Sequence, residues 1–457
     1  MSGANSAAAG AADNDARSLD EWLAYISAQH PVTIELTLDR VGEVWRRMRA
    51  AHPGGLGDQA ALPFPVITVG GTNGKGSTCA MLEAMLDRAG YRVGCYTSPH
   101  LLRYNERVRI ARRDTADEDL CRSFAAVDAA RGEVGLTYFE FGTLAALWWM
   151  IAAKVEVAVL EVGLGGRLDA VNVVDAEVAV VTSIGLDHMD YLGHTREEIG
   201  FEKAGIYRPG RPAICAERDA PAALLRHARE IGARLLRIGV DFDYTDQDGA
   251  QWRYQRLASG VAAGAREPAR GRYGLPFPAL RGAYQLSNAA AAITALDEIA
   301  QRLPVSAEAV RTGLLTAEIA GRFQVLPGRP TVVLDVAHNP QAATALAASL
   351  ARLQGSGRTL AVFSMLGDKD IEAVVRAVKA GIDEWFIAPI DAPRGASIDA
   401  LRDALTHAGA LDPTTECASV HEAWVFARER ANESDRIVVF GSFYTVAAVL
   451  GSLDAAR

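Results

Sequence analysis

The sequence lacks the cysteine spacing of a disulfide framework or a zinc site. Its five cysteines, in a chain of 457 residues, are odd in number and far apart, and no C-x-x-C pair occurs. Nothing in this spacing indicates disulfide pairing or zinc binding. A reducing compartment, the cytoplasm, is therefore expected.

Basic excess and long apolar runs are also missing. The formal net charge is −9, whereas proteins whose main partner is a nucleic acid usually carry a basic face. The most apolar stretch, residues 141–153, is shorter than the roughly 20 residues that span a bilayer. The first 18 residues have neither the basic start nor the apolar centre of a secretory signal, and their composition predicts a disordered tail. Neither a nucleic acid nor a membrane is expected as a partner.

The run VGGTNGKGST at residues 69–78 is the most informative segment that is present. A strand-like apolar stretch precedes it and a helical pattern follows, an order typical of phosphate sites, where backbone N–H groups and a helix N-terminus face the anion. Lys75 would reach the terminal phosphates, and the hydroxyl of Ser77 could hold Mg²⁺. The strict pattern G-x4-G-K-[ST] is not matched, because Gly76 separates the lysine from the serine. A glycine-rich turn without a ligand is the alternative.

The length and the patterns around this run predict two α/β domains. The chain exceeds the ~250–300 residues that one core usually supports. Strand-like and helix-like patterns alternate from residue 65 to about 207, which predicts a parallel sheet covered by helices on both sides. The predicted division is a tail over 1–18, an N-terminal phosphate-loop-type ATPase domain over 19–314, a linker over 315–320 and a smaller Rossmann-like α/β domain over 321–457. Residues 240–275 are rich in Gly, Arg, Asp and Gln and are predicted to be an excursion such as a hairpin.

Polar residues follow several of the predicted strands, at the sheet edge where the chemistry of such folds lies. Glu161 ends a strand that is apolar throughout, and a buried carboxylate needs a partner, for which Mg²⁺ is the natural choice. A salt bridge to Arg167 is the alternative. His188 lies in a loop after the next strand and is either a metal or phosphate contact or a structural histidine. Taken alone, Lys203 would be a surface lysine.

The second block offers a further group of polar residues. Arg322 follows a glycine, Asp335 lies within a predicted strand, and His338 and Asn339 come just beyond its end. Together they would supply a cation and hydrogen bonds to close a nucleotide between two domains. The alternatives are a solvated charge for Arg322 and a turn-forming acid for Asp335.

Ten motifs in this order resemble the bacterial bifunctional dihydrofolate synthase/folylpolyglutamate synthases of the Mur-ligase superfamily. They run from GTNGKGST near residue 71 to GSFYTV at 441–446, and the resemblance covers residues 19 to 446. The opening at residues 18–41 resembles the two-activity enzymes more than those that only polyglutamylate. The eight motifs between the first and the last are TSPHL (97–101), TYFEFGT (137–143), EVGLGGRLDA (161–170), TSIGLDHMDYLGHT (182–195), EKAGI (202–206), YQLSN (284–288), GRF (321–323) and LDVAHNP (334–340).

The resemblance implies an ADP-forming ligase of folate biosynthesis and one-carbon metabolism, acting as a cytoplasmic monomer. The carboxylate of dihydropteroate or tetrahydrofolate takes the γ-phosphate of ATP to give an acyl phosphate, the amine of L-glutamate attacks, and phosphate leaves. Phosphorylation turns a poor electrophile into a good one, so catalysis would consist mostly of positioning and charge neutralisation.

The resemblance also implies roles for individual residues. Lys203 matches a lysine that CO2 carbamylates, which converts a cation into a carboxylate-like ligand of Mg²⁺. Two Mg²⁺ ions are expected. The implied catalytic residues are Lys75, His188 and Lys203; the ATP-binding residues are Thr72, Asn73, Gly74, Lys75, Gly76, Ser77, Asn288, Arg322, Asp335 and His338; the metal ligands are Ser98, Glu161, His188, Lys203 and Ser77; and the pterin or folate site is lined by Thr137, Tyr138, Phe139, Glu140, Leu168, Asp169 and Ala170.

The sequence departs from the family pattern at three positions. Tyr284 stands where histidine is usual, Ala320 where proline is common, and Val171 where threonine is frequent. The histidine position is therefore assigned no role, and the change at Ala320 would loosen the interdomain hinge.

Two other functions compete. A cell-wall Mur ligase would need a sizeable UDP-binding domain before the phosphate loop, but only 68 residues precede Val69. A GTPase-like switch would need a guanine-reading Asn-Lys-x-Asp, and no Asn-Lys pair occurs in the chain.

Overall fold

The structure is a computed structural model that describes residues 17–30, 34–51, 62–247, 251–257, 268–282, 284–353, 357–392, 394–410 and 413–454. Most of the predicted tail, residues 1–16, lies outside them. Ser18, its last residue, is the N-cap of the first helix. The chain divides into two compact units. The first comprises residues up to 98, 105–277 and 287–317, and the second comprises residues 99–104, 278–286 and 318–457.

The apolar runs of the first unit form an eight-stranded sheet. The order is β4-β3-β2-β5-β1-β6-β7-β8, with β3 antiparallel to both of its neighbours and every other pair parallel. The central strands are buried along their whole length, which explains why they contain almost only apolar and small residues. The strands are β1 (Val66–Gly70), β2 (Val93–Tyr96), β3 (Val108–Ile110), β4 (Arg113–Asp114), β5 (Val157–Glu161), β6 (Val178–Val181), β7 (Pro212–Cys215) and β8 (Arg234–Arg237).

Several helices before residue 318 begin at a side-chain cap. Ser18, Thr137 and Thr195 each form a capping box with a glutamate three residues later, which satisfies backbone donors at the helix start. None of the helices in the described part of the chain has the length and apolar character to cross a membrane. The helices before residue 318 are α1 (Leu19–Ser27), α2 (Asp39–Ala51), α3 (Lys75–Arg88), α4 (Asp117–Arg131), α5 (Tyr138–Ala152), α6 (Met189–Leu192), α7 (Arg196–Ala204), α8 (Ala222–Glu230), α9 (Gln285–Glu298) and α10 (Ala307–Thr316).

The predicted excursion at 240–275 contains a small antiparallel sheet rather than one hairpin. Its strands are β9 (Phe242–Asp246), β10 (Gln251–Leu257) and β11 (Pro268–Pro276), in the order β11-β10-β9. Trp252 and Tyr254 lie two positions apart on β10, and both are buried. The hydroxyl of Tyr254 lies 3.0 Å from that of Thr294 in α9, so the small sheet is fixed to that helix.

The second unit contains a six-stranded sheet in the order β12-β13-β17-β14-β15-β16, with β12 antiparallel and the others parallel. Apolar clusters fill both faces of this sheet. The strands are β12 (Gln324–Leu326), β13 (Thr331–Asp335), β14 (Thr359–Phe363), β15 (Glu384–Ile387), β16 (Thr414–Glu416) and β17 (Arg436–Phe440), and the helices are α11 (Pro340–Arg352), α12 (Ile371–Val378), α13 (Ile398–Ala408), α14 (Val420–Arg430) and α15 (Phe443–Asp454).

Candidate active site

The glycine run forms the turn between β1 and α3. Gly71 and Gly74 have φ angles of 145° and 87°, which side chains rarely adopt. A Cβ atom on Gly71 would lie 1.9 Å from Oγ1 of Thr182, and one on Gly74 would lie 2.6 Å from Oδ1 of Asn288. Both positions therefore require glycine, and the turn brings Asn288 of α9 against the start of α3.

The start of α3 has the geometry of an anion site. The first intrahelical bond runs from the N–H of Thr78 to the carbonyl of Gly74 (2.9 Å), and the backbone donors of a helix's first turn, which starts here at Lys75, are not used by the helix's own hydrogen-bond pattern. These donors and the helix dipole favour a phosphate. The Lys75 ammonium donates to two carbonyls of the same turn, those of Gly71 (3.1 Å) and Thr72 (3.2 Å).

A substitution pair separates the clash at Gly71 from the cost of its backbone angle. Gly71→Ala should weaken ADP binding at least about 30-fold, because the loop must move away from Thr182. Gly90→Ala is the matched control, since Gly90 also has a positive φ of 94° but nothing lies within 4 Å of its Cβ position. It should cost about 1 kcal/mol of stability and leave ADP affinity unchanged. Calorimetric ADP titration and thermal melts measure both, and equal ADP affinities in the two variants would contradict this role of the loop.

Glu161 is the last residue of β5 and lies beside Val69 of β1 in the parallel register. Its carboxylate is buried, with 3% of the residue exposed, and accepts the N–H of Ser98 at 3.1 Å. Arg167 does not pair with it, because that guanidinium bonds the carboxylate of Glu202 at 2.8 Å. The salt bridge considered as the alternative for Glu161 is therefore not formed.

His188 follows β6 and caps the short helix α6. It adopts a left-handed backbone (φ 50°, ψ 42°), which is uncommon for a residue other than glycine and occurs often at functional sites. Its N–H donates to Oδ1 of Asp187 at 2.9 Å. The loop position of His188 was predictable from the sequence, but this backbone angle was not.

Lys203 is buried in the last turn of α7, with 3% of the residue exposed, so it is not a surface lysine. Its pKa is lowered to about 7, mainly by burial and to a smaller extent by the charge of Lys75. The carboxylates of Asp187 and Asp169 act in the opposite direction. A substantial part of the Lys203 amine is therefore neutral near pH 7.

The donors proposed for the metal ions are mixed in type. Within the described ranges, no group of three or more histidine, cysteine, aspartate or glutamate side chains could hold a metal ion. A metal site here would combine the carboxylate of Glu161 and hydroxyls such as that of Ser98 with other donors. Oxygen ligands suit Mg²⁺, and a cation would stabilise the buried charge of Glu161, so these residues fit the ion.

The start of α5 and the loop after β5 meet in the first unit. A Cβ atom on Gly163 would lie 2.5 Å from Cζ of Phe139, so the two segments touch there. Asp169 is buried in that loop and accepts the N–H groups of Leu164 (2.8 Å) and Val171 (2.9 Å). Burial raises the pKa of Asp169 to about 7. The two predicted pterin segments are therefore neighbours.

Glu140 contacts a residue that sequence analysis missed. Its carboxylate accepts hydrogen bonds from the N–H and the hydroxyl of Thr137 (2.8 and 2.9 Å). It also accepts one from Nε of Arg40, a residue of α2 (2.8 Å). The T-x-x-E spacing of a capping box was a usable signal for the first contact. No local signal indicates Arg40, which lies 100 residues away in the chain.

In the second unit, polar residues gather at the carboxyl end of β13. The carboxylate of Asp335 accepts the N–H groups of Phe323 and Ala337, each at 2.8 Å. Burial raises the pKa of Asp335, against the opposing charge of Arg322. The guanidinium of Arg322 lies 5.0 Å from the ring centroid of Phe443. Nδ1 of His338 lies 2.8 Å from the carbonyl oxygen of Val336. Because a carbonyl can only accept, Nδ1 carries a proton and donates it in this hydrogen bond.

Comparison with known proteins identifies the family and the fold of the chain. The Mur ligase middle domain matches residues 69–296, and the Mur ligase glutamate ligase domain matches residues 321–443. The dihydrofolate synthase/folylpolyglutamate synthase of Escherichia coli (strain K12) is 45% identical over 444 residues, which span 97% of both chains. The structure of E. coli FolC in complex with DHPP and ADP has a TM-score of 0.86 at 44% identity, covering 97% of this chain and 99% of that one. A bifunctional folylpolyglutamate synthase/dihydrofolate synthase with Mn, AMPPNP and L-glutamate bound has a TM-score of 0.85 at 43% identity, covering 96% and 99%.

The two domain matches place the chain among the Mur ligases. Identity over nearly its whole length shows the narrower group: the chain belongs to the dihydrofolate synthase/folylpolyglutamate synthase family. The family predicted from the ten motifs and the α/β fold class are both confirmed.

Proposed function

We propose that the chain is an ADP-forming ligase that adds L-glutamate both to dihydropteroate, giving dihydrofolate, and to tetrahydrofolate, giving folylpolyglutamates. The observation that carries the proposal is the position of the phosphate loop at the end of β1, the strand that pairs both with β5, which ends at Glu161, and with β6, which leads into the loop of His188. Membership in a family of this name and the ligands bound to its solved members support it.

The residues of the first unit would bind and orient the nucleotide. The start of α3 would hold the phosphates, and Lys75 would leave the carbonyls of its own turn to follow the transferred phosphoryl group. Phosphorylation of the acceptor carboxylate makes an acyl phosphate; attack by the glutamate amine then breaks the carbon–oxygen bond and releases phosphate. The further ATP-binding residues that we propose are Thr72, Asn73, Gly74, Gly76, Ser77 and Asn288 in the first unit and Arg322, Asp335 and His338 in the second.

Mg²⁺, when bound, would neutralise the charge of the phosphates. We propose Ser98, Glu161, His188 and Lys203 as its ligands at two positions, with Ser77 as a further hydroxyl. Lys203 would act as a carbamate, because a buried neutral amine can add CO2 and the resulting anion suits a cation, whereas an ammonium group beside Mg²⁺ would repel it.

The pterin or folate is proposed to bind against the segment Thr137–Glu140 and the loop Leu168–Ala170. Residues 321–457 are proposed as the glutamate-ligase domain, after a linker over 315–320. We further propose that the enzyme acts in the cytoplasm as a monomer.

Arg40 offers a test of the pterin site. Arg40→Ala removes the half-buried guanidinium that pairs with the buried carboxylate of Glu140 and should cost about 3 kcal/mol of stability while it lets the start of α5 move. The KM for dihydropteroate is expected to rise about tenfold, with the KM for ATP within twofold. Arg46→Ala is the control, because Arg46 lies on the same helix in an exposed pair with Glu43. A lower melting temperature with both KM values unchanged would show that Arg40 serves stability alone.

The function itself is tested with purified protein, ATP, Mg²⁺ and L-glutamate, and with dihydropteroate or tetrahydrofolate as separate acceptors. ADP release and glutamylated product are expected with each acceptor. Turnover with UDP-muramoyl substrates alone, or GTP hydrolysis without an acceptor, would contradict the proposal.

A further inference from the structure

The pairing of β1 with β6 continues beyond the ends of both strands. The parallel register reaches Gly70 and Val181. The N–H of Thr182 then donates to the carbonyl of Gly70 (2.9 Å), and the N–H of Thr72 donates to the carbonyl of Ser183 (2.8 Å). The first residues of two loops, 71–73 and 182–185, therefore run side by side although neither is a strand.

Beyond these backbone hydrogen bonds, side-chain hydroxyls connect the two loops. The hydroxyl of Ser183 accepts the N–H of Asn73 (2.9 Å) and donates to the carbonyl of the same residue (3.0 Å). In the opposite direction, the hydroxyl of Thr72 accepts the N–H of Gly185 (3.0 Å) and donates to its carbonyl (3.1 Å). Each hydroxyl thus bonds both backbone groups of one residue on the other loop.

A third hydroxyl completes the contact. Oγ1 of Thr182 lies 2.6 Å from the carbonyl of Asn73 and occupies the space that a side chain on Gly71 would need. We call Thr72, Thr182 and Ser183 the hydroxyl bridge. The N–H of Asn73 is directed at this bridge, so the backbone donors for an anion are those at the start of α3.

The two loops joined by the hydroxyl bridge lead to different parts of the proposed site. Residues 71–73 lead into the start of α3, where phosphate would bind, and residues 182–185 lead to His188. Any shift of one loop must therefore break bonds to the other. Because hydrogen bonds of this kind are directional, the bridge restricts the distance between the phosphate site and His188.

We propose that Ser183 is a positioning residue for nucleotide binding, which holds the phosphate loop through Asn73 in register with the loop that carries His188. This inference rests on the proposed function and deepens it. Ser183 does not need to touch the substrate; its effect on the phosphate site passes through the backbone of Asn73.

The test is Ser183→Ala, with ADP affinity measured by calorimetry at saturating Mg²⁺ and with steady-state kinetics. We expect ADP affinity to fall and the KM for ATP to rise, each about tenfold, while the KM for dihydropteroate stays within about twofold. Ser183→Thr keeps the hydroxyl and should restore ADP affinity to within about threefold of wild type.

Ser306→Ala is the matched control for stability. The hydroxyl of Ser306 also accepts a backbone N–H, that of Ala309 (3.1 Å), but it caps α10 and not the phosphate loop. Both alanine variants should lower the melting temperature, and only Ser183→Ala should lower ADP affinity.

Three outcomes would overturn the inference: unchanged ADP affinity in Ser183→Ala, an equal rise in the KM values of ATP and dihydropteroate, or no restoration by threonine. If Ser183→Ala does not fold, Ser183→Cys decides by the same criteria, because a thiol bonds more weakly than a hydroxyl. ADP titration reports on the bridge even if the wild-type protein ligates no glutamate. Failure of the proposed function is therefore distinguishable from failure of this inference.

Discussion

Lys203→Ala is expected to lower kcat at least about 100-fold while ADP affinity stays within about threefold of wild type. The physical reason is the position of this amine, which is buried close enough to Lys75 for the two charges to repel. Such an amine contributes little as a cation. As the carbamate that we propose, it would supply a negative ligand for the metal ion that neutralises the transferring phosphoryl group.

Lys154→Asn is the control for Lys203→Ala. Lys154 is exposed and has a positive φ of 53°, which asparagine tolerates, so its replacement should leave kcat unchanged. Removal of CO2 and bicarbonate should lower the activity of the wild type and of Lys154→Asn, with recovery when bicarbonate is restored. Full turnover by Lys203→Ala would show that the carbamate assignment is wrong.

Glu161→Gln should raise the Mg²⁺ concentration for half-maximal activity at least about tenfold. Glutamine keeps the shape of the side chain and can still accept the N–H of Ser98, so the change removes mainly the negative charge. A buried cation site that loses its carboxylate binds the ion more weakly, and added Mg²⁺ should recover part of the lost rate.

Glu156 provides the control for Glu161. Glu156 comes directly before the first residue of β5, whereas Glu161 is the last residue of that strand. Glu156 is exposed and accepts a hydrogen bond from the N–H of Arg92. Glu156→Gln should leave the Mg²⁺ titration of the wild type unchanged. A titration of Glu161→Gln that overlays the wild-type curve would exclude Glu161 as a metal ligand.

Much of the fold was predictable because its signals are local. The sequence predicts strands at 359–363 and 436–440 and a helix over 341–353. The strands β14 and β17 have these bounds, and the helix α11 is displaced by one residue. The sequence also predicts a helix over 288–303, but α9 ends at Glu298, where the following residues form turns that bond to the carbonyl of Ile299. The antiparallel strands β3 and β4 were missed, since two or three residues give no usable periodicity.

The candidate site was predictable only in part. The phosphate loop follows from residues adjacent in sequence, and the positions of Glu161 and His188 follow from the ends of apolar strands. The burial of Lys203, the pairing of Arg40 with Glu140 and the bonds of Ser183 to Asn73 depend on residues that are distant in the chain. Only the folded structure brings these groups together.

Isotope transfer tests activation of the acceptor carboxylate most directly. Dihydropteroate labelled with oxygen-18 in its carboxylate is incubated with the enzyme, ATP, Mg²⁺ and L-glutamate, and the released phosphate is analysed by mass spectrometry. If the carboxylate is phosphorylated before the amine attacks, each phosphate released carries one labelled oxygen. Phosphate without label, formed together with glutamylated product, would contradict the account.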